Sequence, residues 1–238
     1  MAEGIHYLVG ELDRIGEQLR HDTIYAPALR VIIRDHLPEQ ARPQIEKILS
    51  GEVVAWDRAP LREESWEIYA ALTGFYSQAM RLLCKDVTLD VWPGWMRSQW
   101  ITLDWNPLSR DFGWKVACRP FRGIFFAEEE PEIEEILSYV SSWPHGWLTH
   151  SECRDFAPSL HLLLVELGGR LPLDWPPGQL DKLLAHPEKL SRGERFELHN
   201  ACLGIDAPFA WQFQRALVLL GAMRVALDAG RDLVAVGY

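Results

Sequence analysis

The stretch Gln99–Cys118, QWITLDWNPLSRDFGWKVAC, decides how this chain is read. Ile101, Leu103 and Trp105 alternate with Trp100, Thr102 and Asp104, and then Phe112, Trp114, Val116 and Cys118 alternate with Gly113, Lys115 and Ala117. A period of two belongs to a half-buried strand, because successive side chains point to opposite faces. Asn106-Pro107 through Ser109 supplies turn chemistry between the two runs. The pattern extends outward. Val87, Leu89 and Val91 alternate on the N-terminal side, ahead of the Pro93-Gly94 turn, and Gly123–Ala127 follows Pro120 on the other. Four strands with short connections predict an antiparallel meander with one apolar face to cover.

The flanks read as helix. Ile5, Leu8, Val9, Leu12, Ile15 and Leu19 recur at three- and four-residue spacing, which predicts a helix over 3–20. Further helices are expected over 22–36, 43–50 and 61–84. In the last of these Trp66, Tyr69, Leu72, Tyr76, Met80 and Leu83 share a face, with acids at its start and bases at its end. After the meander, Ile133, Ile136, Leu137 and Val140 mark another helix, broken by Pro144 and Gly146. Helices are then expected over 155–168, 179–186 and 191–203. A final one has Asp206 as N-cap, Pro208 in its first turn and Gly230 as the terminating glycine. Residues 232–238 read as a terminal strand, and the Pro-rich run Leu171–Gln179 as a link. The expected fold is α+β: N-terminal helices, a central antiparallel β-meander of about four strands and a helical C-terminal half. It is expected to form one unit over 1–238, with a subdivision at 1–127 and 128–238 as the alternative.

The chain has 238 residues, 48% of them hydrophobic, enough for a substantial core. Lys and Arg total 24 against 34 Asp and Glu, a net charge of −10. Such a chain repels nucleic-acid phosphates, so no direct nucleic-acid binding is expected; the charge suits a basic protein surface as partner, or simply solubility. Four scattered cysteines without a CxxC pair read as free thiols of a reducing compartment. The opening residues lack the basic start and apolar run of a secretory leader. The longest apolar run near the C-terminus, Ala216–Met223, is too short to span a bilayer. A cytoplasmic protein without membrane association is expected. Eleven tryptophans, with arginine carrying nearly all the basic charge, give the composition of interface hot spots.

Asp111-Phe112-Gly113 spells the magnesium-binding triplet of protein kinases, but its chemical context is missing. A kinase needs a Gly-rich phosphate lid upstream and an Asn-bearing catalytic loop, and neither is in this sequence. Turn and strand periodicity explain the three letters. His145, His150 and Cys153, with His161 beyond, carry zinc-donor atoms, yet H-x4-H-x2-C matches no common zinc module. Arg30…His36 and Arg192…His199 resemble the R-x4-6-H signature of the HEPN ribonucleases, which implies His as acid/base and Arg on phosphate. Nineteen arginines and eight histidines produce such pairs by chance, and the net acidity opposes a phosphate-binding surface. No metal and no cofactor is assigned.

Glu128, Glu129, Glu130, Glu132, Glu134 and Glu135 form the strongest charge cluster. Acids favour a helix N-terminus, but Glu128/Glu132 and Glu130/Glu134 are like-charged pairs four apart, each unfavourable by a few tenths of a kcal/mol. Six acids exceed what a helix start requires. Glu128, Glu129, Glu130 and Glu132, extended by Asp90 and Asp104 on the polar strand face, are therefore the candidate partner-binding residues. The expected function is a non-enzymatic acidic protein-binding module, of the inhibitor, immunity or anti-defence kind found in bacteria or phage. The alternatives are a hydrolase or nuclease with a site assembled from residues such as His145, His150 and Asp155, and a structural subunit of a larger complex.

Overall fold

A computed structural model of the chain describes residues 5–11, 39, 42–43, 46, 83–91, 122–123, 145–205 and 208–237. In these, β1 is Ile5–Gly10, β2 Lys85–Asp86, α1 Thr88–Val91, β3 Arg122–Gly123 and β4 His145–Leu148. Then come α2 (His150–Arg170), α3 (Gln179–Ala185), a 3-10 turn (Pro187–Lys189), α4 (Arg192–Leu203), α5 (Pro208–Asp228) and β5 (Asp232–Gly237). Contacts divide the chain into two units. One holds residues 1–86, 121–147 and 234–238; the other holds 87–120 and 148–233. The α+β class stands.

The first unit carries the sheet, whose strands lie in the order β2-β1-β5-β4-β3, with β1/β2 and β3/β4 antiparallel. The sheet is gathered from segments far apart in sequence, and two expectations fall with that. Residues 5–10 are strand, not part of a helix over 3–20. Ile5, Tyr7 and Val9 are β-branched or aromatic, and Tyr7, Leu8 and Val9 are all buried. A strand covered on both sides shows no alternation, so its short apolar run also fits a helical stripe. Gly10 lies against Cys84, where an added Cβ would come 2.4 Å from Sγ. The His6 ring Nδ1 meets the Asp86 carboxylate at 2.6 Å, tying β1 to β2 at a partly exposed position.

The second correction concerns Val87–Val91, expected as the first strand of a four-strand meander. Thr88–Val91 is a helical turn, and Val87, Thr88 and Val91 are buried, Val91 lying three and four residues on from the other two. Val91 sits on α5, where a Cβ on Gly221 would approach its Cγ1 to 3.2 Å. Tertiary packing against a glycine on a neighbouring helix has overridden local strand preference. The strands expected over 100–105 and 112–118, with the Asp111-Phe112-Gly113 triplet between them, lie outside the described residues. So do the helices expected over 22–36, 43–50 and 61–84, apart from single helical residues at 43, 46 and 83. The strand expected over 123–127 is represented by Gly123 alone, in β3. Among the described residues the sheet is built of long-range pairings, and these give the local four-strand meander no support.

From His150 onward the described residues of the second unit are mostly helical, and these helices lie near their expected positions. Thr149 caps α2 in a reciprocal box: its hydroxyl accepts from the Glu152 amide while the Glu152 carboxylate accepts from the Thr149 N–H. Ser191 and Glu194 repeat the device at the start of α4. The α2 face Cys153, Phe156, Leu160, Leu163, Leu164 and Leu167 is buried, whereas Leu162 is 68% exposed on the other side. Helix α5 is described from Pro208, a residue expected in its first turn, while the expected N-cap Asp206 lies outside the described residues. The helix is buried at nearly every position from Gln212 to Met223, as suits a helix with neighbours on all sides. Gly230, at φ +64°, ends it in the left-handed conformation that glycine adopts without strain.

Candidate functional site

The Pro-rich link after α2 is a built piece of structure. The Leu171 amide donates to the Gly168 carbonyl at 3.3 Å, and the Trp175 indole Nε1 donates to the same oxygen at 3.0 Å. The Trp175 ring lies 6.2 Å from that of Phe213 on α5, inclined by 50°, a tilted aromatic pair. Gly168 permits this junction, since a Cβ there would sit 2.7 Å from Leu180 Cδ1 and 3.1 Å from the Phe213 ring. Gly178, at φ +74°, then turns the chain into α3.

Between this link, α3, the 3-10 turn and α4 lies a groove of about 560 Å³, within the range of sites that hold small ligands or peptide side chains. Its half-buried residues are apolar: Leu173, Trp175, Leu183, Leu190 and Leu198. Most of its exposed residues are ionisable, and their type depends on the element. Helix α3, its C-cap His186 and the 3-10 turn contribute Lys182, His186 and Lys189, while α4 contributes Glu194 and Glu197 and the link contributes Asp174. The Glu194 carboxyl is held below the usual glutamate range, first by the Ser191 hydroxyl and amide and then by the positive charges of Lys182 and Arg195. It is therefore an anion at neutral pH. The groove offers an apolar bed with a basic wall from α3 and the 3-10 turn and an acidic wall from α4.

On the buried side of α4 a smaller recess of about 20 Å³ is lined by Arg195, His199 and Gln214 among apolar residues. His199 is 6% exposed and its Nδ1 stands 2.7 Å from the Gln214 Oε1. An amide oxygen only accepts, so the ring nitrogen donates. Arg195 reaches the Glu188 carbonyl at 3.3 Å. The resemblance of Arg192…His199 to a ribonuclease signature meets this geometry directly. Arg192 is exposed at the start of α4, while His199 packs into the core as the hydrogen-bond partner of Gln214.

The other sequence-derived candidates fall as follows. Glu128, Glu129, Glu130, Glu132 and Asp104 lie outside the described residues. Asp90 lies in the helical turn α1, not on the polar face of a strand, because the packing of Val87 and Val91 winds this segment. His145 is on β4, an element that the Pro-Gly punctuation concealed, while His150 opens α2 and its amide donates to Asp232 Oδ1 at 2.8 Å. Cys153 is fully buried one turn on, and burial pushes its thiol up to about 12, with the charges of Asp232 and Glu152 adding to the effect. Asp155 is exposed beside Arg154. Among the described residues no group of three or more His, Cys, Asp or Glu is placed to share a metal ion. Cys202 resembles Cys153: burial raises its thiol to about 11, opposed by the nearby Gln214 amide.

Sequence reasoning missed the groove. The signals were present: two of the chain's five lysines fall at 182 and 189, two acids at 194 and 197, and a tryptophan sits in the link at 175. What could not be seen is that the link is pinned to α2 and α5, so that these residues surround one space. Comparison with protein-family models, with curated proteins and with solved structures finds no match to this chain.

Proposed function

We propose that this chain is a non-enzymatic, acidic protein-binding module of the cytoplasm that docks a basic partner surface, and that the groove beside Trp175 belongs to the docking surface. The observation that carries this reading is the groove itself. It joins a tryptophan, enriched at interface hot spots, to an apolar bed, three acids (Asp174, Glu194 and Glu197) and two lysines (Lys182 and Lys189) in a chain of net charge −10. The charge steers a basic partner toward the molecule over a Debye length of about 8 Å at physiological salt, and the apolar bed holds it once docked. Among the described residues no helix is long and apolar enough to cross a membrane. An inhibitor or immunity protein works in this manner, by covering a basic surface on its target. Glu128, Glu129, Glu130, Glu132, Asp90 and Asp104 are proposed as further acidic partner-binding residues.

Placing the photo-crosslinking residue p-benzoylphenylalanine at Ala201, on the acidic wall, tests the proposal in cells of the source organism. One dominant basic protein should be captured, and less of it as salt rises or when Glu197 is changed to Lys. Capture that ignores both salt and Glu197→Lys, or no capture at all, overturns the reading.

A further inference from the structure

We infer that the groove takes an extended peptide segment of the partner that carries an apolar side chain flanked by one basic and one acidic side chain. The inference rests on the binding reading above and specifies its ligand. Its ground is the division of charge by element. Lys182 and Lys189 come from α3 and the 3-10 turn, Glu194 and Glu197 from α4, and Leu183, Leu190 and Leu198 line the same groove. A segment of one charge sign would satisfy one wall and be repelled by the other. Like-charge juxtaposition at an interface is costly, so such a segment is rejected. A segment bearing both signs satisfies both.

The walls are close enough to act on each other, because Lys182 contributes to holding the Glu194 carboxyl ionised. A ligand lying between them therefore meets both fields within a few residues of its own chain. An extended segment advances about 3.1–3.4 Å per residue and turns successive side chains in different directions. One side chain can then enter the apolar bed against Trp175 while its neighbours reach the two rims. The link supports this geometry, since the hydrogen bond to Gly168 and the packing on Phe213 fix the indole before any ligand arrives. Less ordering is then needed on binding.

The test selects a phage-displayed library of random octapeptides on the full chain, with counter-selection on the Lys189→Glu/Glu197→Lys double variant. Enriched peptides should carry an apolar residue with a basic and an acidic residue within two positions. A synthetic consensus peptide should bind the double variant at least tenfold more weakly than the unaltered chain. Exchanging the two charges in that peptide should recover the loss. Far-UV circular dichroism checks the fold of the variant, and Ala201→Arg, which fills the groove from the α4 side, provides an independent block. No enrichment, a consensus of one charge sign, or binding indifferent to both variants overturns the inference. If the Ala201 crosslink still captures a basic, salt-sensitive protein, the peptide inference alone has failed. If that capture fails as well, the binding reading falls with it.

Discussion

Replacing Trp175 separates the two interactions that hold the link against the helical unit. The side chain is half-buried, donates its indole N–H to Gly168 and packs on Phe213. Burying roughly 100 Å² of a tryptophan at about 25 cal/mol per Å² gives about 2.5 kcal/mol. The hydrogen bond adds about 1 kcal/mol. Trp175→Ala loses both, roughly 3–4 kcal/mol. Trp175→Phe keeps most of the ring burial and loses only the indole bond, about 1 kcal/mol. The Gly168 carbonyl is not orphaned in either case, because it also accepts from the Leu171 amide. Thermal unfolding followed by far-UV circular dichroism reads the difference. At roughly 2–4 °C per kcal/mol for a chain of this size, the alanine variant should melt about 6–16 °C lower and the phenylalanine variant about 2–4 °C lower. Equal losses, or a loss below 1 °C for Trp175→Ala, would show that Trp175 is not anchored to α2 and α5. The pre-formed groove would then have no structural basis.

Thr149→Ala removes one half of the α2 capping box and should lower stability by about 1 kcal/mol in urea titration. The Glu194 carboxyl, titrated by carbon-13 NMR, should ionise below the ordinary glutamate value and return toward it in Ser191→Ala. A depressed carboxylate pKa stabilises the folded chain above the ordinary value. That contribution is lost as pH falls through the lowered one, so Ser191→Ala should flatten the acid limb of the stability curve. Cys153 and Cys202, raised by burial to about 12 and about 11, should resist iodoacetamide at pH 8 in the folded chain and react once it is unfolded. Because the unfolded thiols ionise near 9, their contribution to stability is complete below that pH. It declines as pH rises from about 9 toward the folded values. Rapid labelling of native Cys153 would contradict its buried position.

The local code of the helical unit could be read from the chain directly. Pro208 and Gly230 bracketed the described extent of α5, Ser191 with Glu194 began α4, and the terminal apolar alternation gave β5. These are interactions among residues within a few positions of one another, and a sequence displays such neighbours. The Thr149…Glu152 box was equally legible and marks the true start of α2, five residues ahead of the expected one. The sheet was not legible in this way. Strand Ile5–Gly10 pairs with Lys85–Asp86 some eighty residues away. No local period reveals that partner, and a short apolar run buried on both sides fits either regular structure. Thr88–Val91 is wound by Gly221, more than a hundred residues downstream. The same holds for function. Composition established an acidic, tryptophan-rich chain, since charge and residue type add without regard to position. Only the tertiary structure decided that Trp175, two lysines and two glutamates border one groove. That depends on the close approach permitted by Gly168, a contact between elements that no stretch of sequence contains.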